Sequence, residues 1–337
     1  MYIKFWRYGH LLKITDVVRK DALCGLSLKI QDNGIYGVLT ADAKARDTLA
    51  DVICGCENVD SGEVSINGEE MSRKATELKK RVRLVSGHTH ADKNTTPVEH
   101  MDFIGQALGV DTDKRYRQIK EALDLMAVED VQNRLFSTLT PAQALRVSIA
   151  AALIGNPDLI VLNAPFGGVD EKTLGEIFET VAMLGEIKTV VLLTHKVSHV
   201  KALCRDMAIL CGGKVVLEGN IREIEDKINS TRELHVCVRG EYQKVSDAIM
   251  GVESVVSVKL LTAEKNDVNH IRVEHKPDSK IKDRLFEALS AVDAPMLSVK
   301  PIVLTLEDVF YSLTEKDRKS VDGEEISPKK KKGGRSK

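Results

Sequence analysis

Apolar and polar positions alternate between residues 11 and 40, the period of strands that turn one face to a core. Positions 12–14 and 26–30 lead through the Asp32-Asn33-Gly34 turn into a continuous apolar run over 35–39. From 43 to 54 the period becomes helical, with Leu49, Val52 and Ile53 on one face. This predicts strand, tight turn, helix. Short strands follow at 62–68 and 82–85. The charged stretch over 97–133 then places Met101, Phe103, Ile104, Leu108, Ile119, Leu123 and Met126 at helical spacing. A helix over 141–154, a buried strand over 159–162, a helix over 171–185 and a buried strand over 190–194 complete the pattern. Such alternation predicts an α/β fold, a parallel sheet covered by helices, with a helical insertion at about 88–135.

Near residue 230 the elements shorten: strand 235–238, helix 242–250, strands 255–261 and 271–275, helix 281–292, strand 297–303 and a last helix over 306–314. The β-α-β-β-α-β order predicts a small α+β ferredoxin-like accessory domain over 229–315. Residues 316–337 are polar and include the basic run Lys329, Lys330, Lys331 and Lys332; a disordered tail is expected there. The opening 1–10 concentrates Tyr2, Phe5, Trp6 and Tyr8. Such an aromatic extension suits either docking at a membrane interface or packing back on its own domain.

Charge adds little to this picture. Fifty acidic residues against 49 basic ones leave no overall field that marks a nucleic-acid binder. The longest apolar runs fall well short of the roughly 20 residues of a membrane helix. The first ten residues lack the apolar core of a secretion signal. Six scattered cysteines suit a reducing compartment, and a cytoplasmic location is expected. Cys54 and Cys56 have no second pair to complete a zinc set, so core packing is the favoured reading. His88, His90 and Asp92 are metal-capable types in a loop, read here as solvated; no metal site is expected.

The segments SGEVSINGEE (61–70), LTPAQALRVSIAAALIGNPDLIVLNAP (139–165), GGVD (167–170), LLTH (192–195) and ALCRDMAILCGGKVVLEG (202–219) occur in that order. The chain resembles the ATP-binding cassette of ABC transporters over about 11–228. The terminal LEDVFYSLT (306–314) resembles cassettes that serve separate export permeases. The resemblance implies a P-loop NTPase-like fold whose helical insertion grips the membrane subunit.

It also implies a site, and here the residues depart from the family pattern. The phosphate loop GxxxxGK[ST] aligns with Thr40, Ala41, Asp42, Ala43, Lys44, Ala45, Arg46 and Asp47, followed by Thr48. Both glycines are replaced, Arg46 stands for the lysine, and Asp47 puts a carboxylate where a hydroxyl meets Mg²⁺. The segment between Asp16 and Ala22 offers no aromatic for adenine, and Gly87 takes the place of the usual glutamine. Where the family has Asp then Glu, this chain has Asn163 and Ala164, which supply neither metal charge nor a base. The signature sequence becomes Leu139, Thr140, Pro141, Ala142 and Gln143. The resemblance places Thr140, Gln143 and Asp170 at a partner interface, while Asp170 also suits a helix N-cap. His195 is retained at the γ-phosphate station.

The expectation is therefore a degenerate cassette, leaning away from enzyme activity, with no cofactor unless the altered site still takes ATP and Mg²⁺. Its implied partners are an integral membrane permease and a second, catalytic cassette, and its implied place is peripheral on the membrane. A weakly active ATPase subunit and a soluble scaffold or sensor are the alternatives.

Overall fold

The computed structural model describes residues 10–72, 74–87, 91–228, 232–264, 267–302 and 305–314. Most of the aromatic opening, His88, His90 and the basic tail lie outside them. The alternating stretch forms β1 (His10–Arg19) and β2 (Leu23–Gln31), an antiparallel pair. β1 runs past the predicted end at residue 14 because Asp16, at φ 45°, breaks the alternation without ending the strand. Its N–H donates to Ser27 Oγ at 2.9 Å. β3 (Gly34–Leu39) then enters helix α1 (Ala43–Ile53). β4 (Ser61–Ile66) and β5 (Glu69–Glu70) extend the first sheet, in order β2-β1-β4-β5.

A short α2 (Thr76–Lys79) precedes β6 (Val82–Ser86). The charged stretch becomes α3 (Pro97–Ala107) and α4 (Thr112–Leu125), after which come α5 (Pro141–Leu153) and β7 (Leu159–Asn163). Next follow α6 (Glu171–Ile187), β8 (Thr189–Thr194), α7 (Val197–Leu203), β9 (Asp206–Cys211) and β10 (Lys214–Asn220). The second sheet has the order β10-β9-β3-β8-β7-β6, parallel except for the β10 edge. Such central strands are covered on both faces, which is why β8 reads as unbroken Thr-Val-Val-Leu-Leu-Thr.

Alternation within these strands divides the interior in two. Val161, Val191 and Leu193 face a core that holds Leu49 and Ile53 of α1 together with Leu12, Leu28 and Ile66 of the first sheet. Ile160, Leu162, Val190 and Leu192 face the other core, with Val147 and Ile149 of α5 and Val181 and Leu184 of α6. Each fully buried Leu, Ile or Val contributes about 1.5–3 kcal/mol of transfer free energy. The sheet is thereby fixed from both sides, and the loops at its strand ends inherit that rigidity.

The chain divides into two units, with Arg222–Ser312 forming the second. Helix α8 (Ile221–Ile228) begins at the division. Beyond it come β11 (Arg232–Arg239), α9 (Tyr242–Met250), β12 (Val255–Glu264), β13 (Val268–His275), α10 (Ile281–Ser290), β14 (Met296–Ile302) and a helix over 306–314. The four strands form an antiparallel sheet in the order β12-β13-β11-β14. Leu234, Val236, Val238, Ile271 and Val273 cluster with Val245 and Ile249 of α9 and Leu285 and Leu289 of α10.

Gly62 opens β4 at φ +86°, and a Cβ there would lie 2.4 Å from the Asp16 carbonyl oxygen. Gly62→Ala is expected to destabilise the first unit by about 2–3 kcal/mol, read as a lowered thermal midpoint.

Candidate functional site

The parallel sheet brings the C-terminal ends of β3, β8 and β7 side by side, with Leu39 paired to Thr194 and Asn163 to Leu193. Crevices at such strand ends are where open α/β sheets place their ligands. Buried Thr40 follows β3 and donates its N–H to the Thr194 carbonyl at 3.0 Å. Its hydroxyl accepts from Asp42 N at 3.2 Å. Asp42 caps α1: its Oδ1 accepts from Lys44 N at 2.8 Å and Ala45 N at 3.1 Å. Arg46 N donates to the Asp42 carbonyl at 3.1 Å. Donors at a helix N-terminus are well suited to an anion, and here the anion is the chain's own carboxylate. Ala45 is buried, while Thr48 is half-buried one turn into the helix.

The next two side chains close a second circuit. Arg46 Nε donates to Asn163 Oδ1 at 2.9 Å and to Asp47 Oδ1 at 3.2 Å, and Arg46 Nη2 lies 3.0 Å from the same carboxylate oxygen. Asn163 Nδ2 donates to Asp47 Oδ1 at 2.9 Å. Asn163 both accepts from a cation and donates to an anion, which a carboxylate at that position cannot do. Ala164 follows at φ 44°, its N–H held 2.8 Å from the Leu193 carbonyl. A Cβ at Gly87 would lie 2.5 Å from the Ala164 carbonyl oxygen, so this path of the chain requires glycine.

His195 is exposed beyond β8, and partial burial with the nearby Arg46 and Lys196 charges keeps its pKa below the ordinary imidazole value. Arg46, Asp47, Asn163 and His195 thus share one neighbourhood. Thr140, Gln143 and Asp170 are engaged elsewhere. Thr140 Oγ1 accepts from Gln143 N at 3.2 Å and Gln143 Oε1 accepts from Thr140 N at 3.1 Å, a reciprocal cap on α5. Pro141 at the first helical position removes no intrahelical bond. Asp170 caps α6 by accepting from Thr173 N at 3.0 Å, and Thr173 lowers its pKa.

Two features escaped sequence reasoning. The Asp42 cap was open to it, since Asp immediately before a helix is a standard start signal. His199 was not, because its role comes from residues distant in sequence. It is buried against Phe166 and Phe178, with ring centroids 4.9 and 5.6 Å away, and its Nδ1 lies 3.4 Å from Thr194 Oγ1. Burial, then the Lys196 and His195 charges, pushes its pKa down to about 4.

The unfolded chain therefore binds the His199 proton between pH 6.5 and about 4 while the folded one does not. Its contribution is complete above that window and declines as pH falls through it. The thermal midpoint should drop on acidification, and His199→Phe, which keeps an aromatic ring in the cluster, should flatten that limb. Gly87→Ala should cost about 1–3 kcal/mol in chemical denaturation, through displacement of the 163–164 turn.

The ABC transporter family profile matches residues 24–167. The methionine import ATP-binding protein MetN of Latilactobacillus sakei is 29% identical over 209 residues, 60% of this chain and 61% of that protein. The chain thus spans less than two thirds of that relative's length. The linearmycin resistance ATP-binding protein LnrL of Bacillus subtilis is 23% identical over 303 residues, 88% of this chain and 94% of that one. Among solved structures, cbiO1 of Clostridium perfringens, part of the cbiONQ transporter complex, superposes with a TM-score of 0.58 at 20% identity, covering 66% of this chain and 95% of cbiO1. A nucleotide-free cassette of an ABC transporter gives 0.57 at 20% identity, over 64% of this chain and 94% of that one. Helical insertion and mixed sheet coincide with the matched region, whose fold is that of the ATP-binding cassettes it is similar to.

Proposed function

We propose that this chain is a cassette subunit of a membrane transporter that has given up nucleotide turnover and acts as a structural or regulatory partner. It binds an integral membrane permease and pairs with a second cassette that hydrolyses ATP. The observation that carries this reading is the hydrogen-bonded closure at the head of α1. The Asp42 carboxylate takes the Lys44 and Ala45 N–H groups, and Arg46 is held between Asp47 and Asn163. Five backbone donors of the loop, on Thr40, Asp42, Lys44, Ala45 and Arg46, are already committed within the chain.

These residues do not fit a magnesium-bound triphosphate. Its phosphates must displace Asp42 and then lie beside two carboxylates, which repel them. Asn163 offers a metal no charge, and Ala164 has no group to take a proton from water. Loss of a base and a metal anchor together costs orders of magnitude in rate, each factor of ten being about 1.4 kcal/mol of barrier.

Two further points favour a cassette followed by an accessory domain. The alignment with LnrL runs over 88% of this chain, past the cassette domain. The β12-β13-β11-β14 order of the second unit supports a ferredoxin-like accessory domain following the cassette. No helix among the described residues is long and apolar enough to cross a membrane.

Calorimetry with millimolar ATP and Mg²⁺ should give no binding isotherm, and phosphate release by the purified chain should stay at background. Capture from native membranes should bring down a permease and a second cassette. Turnover by the chain alone at the rate of a transport motor, or recovery as a monomer free of any permease, refutes the reading.

A further inference from the structure

The sheet of the second unit has a covered face and an open one, and the open face carries two imidazoles in contact. Leu234, Val236 and Val238 of β11 and Ile271 and Val273 of β13 turn towards α9 and α10. Strand alternation therefore puts His235 and His270 on the opposite side. In register, His235 faces Arg272 and His270 faces Cys237, which makes the two histidines diagonal neighbours. Their rings are nearly parallel, 11° apart with centroids at 5.1 Å, and His270 Nδ1 lies 3.2 Å from His235 Nε2. On the far side of its ring, His270 Nε2 lies 3.1 Å from Glu264 Oε1. An ionised carboxylate only accepts, so in the neutral ring the Nε2 proton belongs to that bond and Nδ1 turns a lone pair towards His235.

We propose that His270 Nδ1 and His235 Nε2 form a two-imidazole site for a borderline divalent transition-metal ion such as Zn²⁺, Ni²⁺ or Cu²⁺, with Glu264 as positioning residue and water completing the coordination. The spacing matches: nitrogens bound to one tetrahedral zinc at 2.0–2.1 Å are about 3.3 Å apart. Carboxylate, imidazole and metal in line is the arrangement that fixes the tautomer and basicity of a ligating histidine. Imidazole donors select these metals over Mg²⁺ and Ca²⁺, which require oxygen.

Local charge permits a cation. Arg272 is neutralised by Glu233, with Nε to Oε2 at 2.7 Å and Nη2 to Oε1 at 2.6 Å. Glu264 contributes a negative charge beside His270, while Lys300 on β14, across from His235, and Lys259 on β12, across from Arg272, are the opposing cations. Between neutral rings the contact needs one proton, donated by His235 Nε2; metal binding requires that proton to move to His235 Nδ1 through water, with no net release. Among the described residues no three His, Cys, Asp or Glu side chains gather as a metal set, so the protein supplies two ligands and the affinity should lie in the micromolar range.

The test is calorimetric titration of the untagged full chain with Zn²⁺ and, separately, Ni²⁺ in a non-coordinating buffer. The wild type should take up a micromolar equivalent that both His235→Ala and His270→Ala lose, with metal-free thermal midpoints preserved. Glu264→Gln should keep the stoichiometry and weaken affinity by roughly tenfold. Nitrogen NMR of the imidazoles should show Nδ1 of His270 and Nε2 of His235 as the shifted atoms. No uptake by the wild type, or unchanged uptake in both histidine variants, overturns the site.

Discussion

A helix that starts at the end of a buried parallel strand presents unpaired N–H groups and a partial positive charge to whatever lies in front of it. In this chain Asp42 answers that demand from within, and the rest of the site is arranged around the consequence. Once the carboxylate sits on Lys44 N and Ala45 N, positive charge near the helix head comes chiefly from Arg46 and Lys44. Arg46 is drawn to Asp47 and Asn163, so the side chain best placed to meet a phosphate is occupied by an amide and a carboxylate.

The same closure explains why the replacements form a set. Asn163 alone bridges Arg46 and Asp47, because an amide offers both a donor and an acceptor. An aspartate there would set two carboxylates on one guanidinium with no donor for Asp47 beyond it. The neighbouring turn is shaped by a second constraint, the contact between Gly87 and the Ala164 carbonyl. A long polar side chain at 87 needs the space that this carbonyl fills. Change at one station therefore limits what the others accommodate, as expected for groups that share partners.

How much of this was legible in the sequence follows the range of the interactions. The order of strands and helices was, because Val190–Leu193 and their like must be buried on both faces and Leu49 and Ile53 must share a helix face. The full length of β1 was not, since the Asp16 bulge interrupts the period without interrupting the pairing. The β9–β10 hairpin was also missed, although Gly212-Gly213 between two apolar runs is a turn signal. At the site, the unusual residue types at 45–47 and 163–164 were visible as departures from a family pattern. Their mutual hydrogen bonds were not, because Arg46 and Asn163 are 117 positions apart. Thr140, Gln143 and Asp170 show the converse. Their types fit an interface and a helix cap equally well, and only the geometry shows how fully local capping uses their side chains.

The two units answer the same problem differently. In the first, both faces of the parallel sheet are consumed by packing, so chemistry is confined to the strand ends, where a single capping carboxylate alters the whole crevice. In the second, the helices pack on one face of the antiparallel sheet, and the other carries Glu233, His235, His270, Arg272 and Glu274 between the buried Leu234, Val236, Ile271 and Val273. A two-faced sheet tolerates new polar chemistry at no cost to its interior, because each outward position is independent of the packed one beside it. The first unit has no such reserve: its parallel strands leave only their ends. Chemical novelty in this chain is accordingly most readily accommodated on the open face of the second unit, where His235 and His270 already meet.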